Sequence, residues 1–107
     1  MGACTWTELA GGKQAFGGMF IRFGTVALSG SYATGGDTLT AALVGLTRIL
    51  GIAPQGLSDG GYVIRGVVSG VDALIQAFEQ DAGNALVQVT ATTDLDAEDV
   101  QVIIFGR

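Results

Sequence analysis

Close to its end the chain reads Val100-Gln101-Val102-Ile103-Ile104-Phe105-Gly106, a strand-like run whose last apolar stretch is apolar on both faces. A sheet with one wet face alternates polar and apolar side chains. Here Val102 and Ile104 point one way while Ile103 and Phe105 point the other, so both sides of the segment need cover. A domain of 107 residues cannot easily bury both faces of its sheets alone. The simplest reading is that neighbouring subunits supply the missing cover, and Ile103, Ile104 and Phe105 become candidate interface residues.

The composition agrees with an assembled chain. Apolar residues make up 49% and charged residues only 14%, against typical values of about 45–50% and about 25%. The core is ordinary while the surface is poor in charge, which argues against disorder and for an interface within the nominal surface. The net charge is -5, and the only basic side chains, Lys13, Arg22, Arg48, Arg65 and Arg107, form no cluster in sequence. A phosphate-backbone binder is therefore disfavoured, and no direct nucleic-acid partner is expected.

Cys4 is the only cysteine, which excludes an internal disulfide and a cysteine-based zinc site. It reads either as a reactive thiol or intermolecular bridge, or, as the favoured reading, as a small residue in an N-terminal arm. The start Met1-Gly2-Ala3-Cys4-Thr5-Trp6 places Trp6 where a myristoylation motif requires Ser or Thr. No basic start followed by an apolar stretch suggests a secretory signal. No uncharged run of 18 predominantly apolar residues suggests a membrane-spanning helix, so no membrane partner is expected.

Along the chain, residues 1–18 hold five glycines and no clean period, and are expected to be an extended N-terminal arm. Trp6 and Phe16 would anchor this arm on a neighbour, ordering it only on docking. Residues 19–107 are expected to form a single β domain. Residues 19–29 predict a strand with Met19, Ile21, Phe23 and Thr25 on one face and Phe20, Arg22, Gly24 and Val26 on the other. Residues 30–37 predict a turn-rich loop, residues 40–46 at most one helical turn, and residues 48–53 a short strand closed by Pro54. Residues 62–68 and 71–78 flank Ser69-Gly70 as a tight hairpin, although Asp72 as an N-cap and Gly83 as a helix stop would also suit a helix over 73–82. Residues 81–84 predict a turn, residues 86–92 a strand, and residues 93–98 the approach to the closing strand. The 18 glycines, at over twice the roughly 7% average, and the short strands predict an all-β fold. The expectation is a small, jelly-roll-like β-sandwich or a partly open barrel, with at most one short helix.

Chemistry is hard to find. The chain has no histidine, so a Ser-His-Asp or Cys-His arrangement is impossible, and Lys13 in a glycine-rich arm is a poor general base. Asp59, Asp72 and Glu79 could supply a carboxylate pair, but no spacing selects one. The segment Asp94-Leu95-Asp96-Ala97-Glu98-Asp99 carries four carboxylates in six residues, without the glycine and distal Glu of an EF-hand loop, and reads as a solvated acidic turn. No catalytic residue, cofactor or metal is expected. The better-defined feature is Tyr32-Ala33-Thr34-Gly35-Gly36-Asp37. Here Gly35 and Gly36 allow unusual backbone angles and Asp37 can accept backbone N–H bonds, so with Tyr32 they predict a fixed structural loop.

Several of these runs occur together in a familiar order. Phe23-Gly24-Thr25-Val26-Ala27-Leu28 is followed by Ser31-Tyr32-Ala33-Thr34-Gly35-Gly36-Asp37-Thr38-Leu39, Leu46 and a short strand. Then come Gly61-Tyr62-Val63-Ile64 and the ending Asp94-Leu95 to Val100-Gln101-Val102-Ile103-Ile104-Phe105-Gly106-Arg107. Over residues 20–107 the pattern resembles small virion proteins of tailed bacteriophages that serve as head decoration (cement) or minor structural proteins; residues 1–18 lie outside it. The resemblance implies a β-sandwich on the outer capsid surface, made in the host cytoplasm. Its partners would be the major capsid protein and further copies of itself, expected as a homotrimer. A tail, neck or fibre component of the same virion is the first alternative. A carbohydrate- or calcium-binding β-sandwich module is the second, although a sugar binder would normally expose Trp or Tyr platforms.

Overall fold

The computed structural model describes residues 2–107 apart from Thr34, Asp59, residues 81–85 and residues 96–97; for residues 10–13, Phe16 and Gln80 it describes the main chain alone. Eight strands are described: β1 Thr5–Phe16, β2 Met19–Ala27, β3 Asp37–Leu39, β4 Ile49–Pro54, β5 Val63–Ser69, β6 Asp72–Gln80, β7 Leu86–Gln88 and β8 Asp99–Gly106. A 3-10 turn at Ala42–Val44 is the one helical element among the described residues. One antiparallel sheet has the order β1-β2-β8-β4, and the other has β3-β6-β5 with β7 also on β6. The fold is a small β-sandwich.

Strand alternation decides what lies between the sheets. Val26 on β2, Val100, Val102 and Ile104 on β8, Ile49 on β4, and Ala73, Ile75 and Ala77 on β6 are all buried in one core with Leu28, Tyr32 and Leu39. The two sheets also approach at their corners. Ala3 bridges Thr38 in parallel, with the Cys4 amide donating to the Thr38 carbonyl at 2.9 Å, and the Ile49 amide donates to the Val71 carbonyl at 2.8 Å.

Residues 5–16, expected as an irregular arm, instead form a 12-residue edge strand. It pairs with β2 in two stretches, from Thr5↔Ala27 to Glu8↔Gly24 and from Lys13↔Arg22 to Phe16↔Met19, with a bulge between Glu8 and Lys13. That bulge contains the glycines that hid the period: a slip between two paired stretches changes which parity faces inward. Trp6 sits opposite Val26 and packs against the core. Arg22, only 9% exposed, forms an ion pair with Glu8 and donates to the Gly45 carbonyl at 3.3 Å, tying β1 down on the inner side.

The segment open to either strand or helix is strand β6, because β5 pairs with it from Val63↔Phe78 to Ser69↔Asp72. The connection is therefore Gly70-Val71, one residue later than expected, with Gly70 at φ 63°, the positive value that the first central residue of a II′ hairpin turn requires. The strand expected over 86–92 shrinks to three residues. Beyond it the Val89 amide still donates to the Ala77 carbonyl at 2.9 Å, but the Ala77 amide donates to the Tyr32 hydroxyl at 3.0 Å. A side chain from another loop has taken the place of a ladder partner.

Candidate interaction surface

The loop after β2 is built around two buried side chains. Asp37 is 0% exposed, and its carboxylate accepts the Ser29 amide at 2.8 Å and the Ala33 amide at 2.9 Å. Tyr32 is 1% exposed, and its hydroxyl accepts from the Gln88 side chain at 2.6 Å as well as from Ala77. Gly35 (φ 92°) and Gly36 (φ 118°) occupy backbone angles that other residues rarely adopt, and a Cβ on Gly36 would press on β6. This loop fills the gap on the β6 edge between β3 and β7, as the bonds from the Gln76 side chain to the Gly35 carbonyl and from the Ala77 amide to the Tyr32 hydroxyl show.

Among the described residues the candidate carboxylates Asp72 and Glu79 do not converge. Asp72 accepts the Ala41 amide at 2.8 Å at the start of β6, while Glu79 is exposed near its other end. Seven residues of strand separate them by roughly 23 Å; Asp59, the third candidate, lies outside the described residues. Of the acidic segment, Glu98 accepts the Ser58 hydroxyl at 2.7 Å and the Gly60 amide at 2.6 Å, closing the loop before β5. Asp96 lies outside the described residues. Among the described residues no three of His, Cys, Asp and Glu gather in a way that could hold a metal ion. Cys4 is buried, and burial together with the nearby Asp37 carboxylate pushes its thiol up to about 12. At neutral pH the sulfur stays protonated, which makes it a poor nucleophile.

The aromatic platforms a sugar binder would use are turned inward: Trp6 and Tyr62 pack on the core and Tyr32 lies within it. Of the residues expected at an interface, Ile104 is 0% exposed and belongs to the core, so it is not available to a partner. Trp6 likewise anchors β1 to its own sandwich, lying over Gly24, where the absent Cβ leaves room for the indole. Phe16 pairs with Met19 at the end of the β1–β2 hairpin, and its side chain lies outside the described residues. Ile103 and Phe105 do face away from the core.

These two residues belong to a larger surface. On the outer side of the β1-β2-β8-β4 sheet, Ile103 lies opposite Phe23 and Phe105 lies opposite Ile21, two cross-strand apolar pairs side by side. All four are half-buried, and exposed Leu9 and Met19 extend the patch. Leu9, Phe23 and Ile103 also line a shallow notch with Thr25, Gln55 and Gln101. Phe105 rests over Gly51 of β4, whose missing side chain leaves a seat for the ring. The opposite sheet repeats the arrangement: Val63 faces Phe78 and Val67 faces Leu74 on its outer side, with Arg65 and Gln76 between the two pairs. The sandwich therefore carries apolar cross-strand pairs on both of its outward sides.

Sequence reasoning found Ile103 and Phe105 from the strand's alternation, but missed their partners Ile21 and Phe23 as a continuation of the same surface. The signal was present, since Ile21 and Phe23 were already on one face of the β2 pattern; only the β2–β8 register brings the two strands together. Comparison with protein-family models, with curated proteins and with solved structures finds no match for this chain.

Proposed function

We propose that the protein is a structural virion protein, a head decoration (cement) protein that binds the outer capsid lattice of a tailed bacteriophage and stabilises the head. The resemblance over residues 20–107 supplies the class. The observation that supports it best is the pair of opposed apolar faces, Ile21, Phe23, Ile103 and Phe105 on one side and Val63, Val67, Leu74 and Phe78 on the other. A domain with two such sides can join two bodies, as a cement must.

The mechanism is linkage and involves no chemical step. A protein that binds only the assembled lattice stabilises that state by mass action. Individually weak contacts of a homo-oligomer with several copies of the major capsid protein add through multivalency. The same opposed faces, stacked front to back, would instead generate an open-ended column, the geometry that favours a tail, neck or fibre component as the second reading.

The test uses purified virus particles. Electron microscopy with a labelled protein should place it over the head surface. Particles stripped of it should keep their shape but release DNA at a lower temperature, and adding the purified protein back should restore resistance in a saturable way. Equal release temperatures for stripped and decorated particles, or label confined to the tail, would overturn the head-decoration role.

A further inference from the structure

We infer that the outer side of the β1-β2-β8-β4 sheet is a self-complementary surface on which a second copy of this chain packs face to face about a two-fold axis. The inference assigns one of the two faces invoked above, and rests on the decoration reading only for what the opposite face binds.

Three observations select a second copy as the occupant. The first is charge. On β8 the outward positions are Asp99, Gln101, Ile103 and Phe105, and Arg107 follows in the same alternation just past the strand end. The strand thus carries an acid at one end of its outer row and a base beyond the other, with Ile103 midway between them. A two-fold axis through Ile103, lying in the sheet plane and perpendicular to the strands, sets β8 antiparallel on its mate. Asp99 of one copy then meets Arg107 of the other, twice. The opposite choice, an axis along the strands, would set Asp99 against Asp99.

The second is shape. The same axis passes close to Phe23, which lies opposite Ile103 in the β2–β8 register. Phe23 and Ile103 therefore meet their own symmetry mates at the centre, where desolvation is most complete and energetically most useful. Gln101 and Thr25 meet the partner's Phe105 and Ile21, placing polar groups toward the rim.

The third is area. Four strands about 4.8 Å apart, over seven residues of about 3.3 Å, give a plan of roughly 440 Å². Side chains corrugate that plan, so the accessible area of the face exceeds the flat figure and approaches the roughly 600 Å² per partner at the lower end for specific complexes. That is about a tenth of the 5662 Å² surface of the chain, the share a small protein commits to such an interface. An isologous pair closes on itself and exposes both copies of the opposite face, so one dimer presents two identical docking surfaces.

Sedimentation equilibrium of the intact chain at micromolar concentrations tests this. A dimer is expected, with Ile103→Glu monomeric while retaining the wild-type circular dichroism spectrum and a cooperative unfolding transition. Asp99→Arg should weaken the dimer several-fold, and adding Arg107→Asp should restore it. A wild-type monomer, a trimer, an open-ended polymer, or a charge-swapped double variant that fails to recover would each overturn the inference. Particle binding is read separately. A chain that remains monomeric but still decorates particles removes the pairing and leaves the decoration role. A dimer that binds no particle keeps the pairing and removes that role.

Discussion

Ile103 and Ile104 carry the same side chain, one residue apart on one strand, and the fold gives them opposite fates. Ile104 is fully buried between the sheets, whereas Ile103 is half-buried on the outer side beside Phe23. Truncating Ile104 to Ala removes packed methyl groups and leaves a cavity the neighbours fill only in part, which costs about 2–5 kcal/mol for a core isoleucine. With no exposure to begin with, the middle of that range, about 3.5 kcal/mol, is expected. Ile103→Ala loses only partly buried area in a single chain, at most about 1 kcal/mol. A domain of this length has a total stability on the order of 5–15 kcal/mol, so the first change consumes a large fraction of it and the second does not.

Urea unfolding followed by circular dichroism separates the two. With m near 1.5 kcal/mol/M, Ile104→Ala should lower the midpoint by about 2 M and Ile103→Ala by less than about 0.7 M, with m unchanged. The comparison is made at concentrations low enough to keep the chain monomeric. Raising the concentration should then widen the deficit of Ile103→Ala, which loses association, and leave that of Ile104→Ala as it was. Similar midpoint losses for the two variants at low concentration would refute the assignment of faces.

Two further changes probe the frame that holds this surface. Tyr32→Phe deletes the hydroxyl that accepts from Ala77 and Gln88, so it should cost about 1–3 kcal/mol through the stranded Ala77 amide; hydrogen exchange at Ala77 should quicken, and unchanged exchange there would reject the bridge. For Cys4 the folded thiol titrates near 12 against an ordinary 9.0, so the folded chain holds its proton longer than the unfolded one. The stabilisation from this site is whole below about pH 9 and declines at up to about 1.4 kcal/mol per unit as pH climbs toward the folded value. Cys4→Ala should therefore show a shallower alkaline loss in thermal unfolding than wild type, and parallel alkaline limbs would count against a buried thiol.

How much was legible from the chain differs element by element. The two-faced run at Val102–Phe105, the tight turn near Gly70, the single helical turn near Ala42 and the loop around Tyr32, Gly35, Gly36 and Asp37 all rest on local signals: alternation, glycine at strained angles, short side chains that accept backbone bonds. Such signals act over two to six residues, and sequence alone carries them. They made the all-β class and the surplus of apolar faces readable without a structure. What they lack is register. Whether β6 was strand or helix depended on β5 lying beside it, since its own residues suit both. That the glycine-rich start is strand β1, with Trp6 turned onto its own core, depended on β2 offering an edge and on Gly24 leaving room for the indole. Most of all, alternation separates Ile103 from Ile104 but cannot say which side is inside; that choice was made when the second sheet closed over Val102 and Ile104, because a strand's two faces become different only when something packs on one of them.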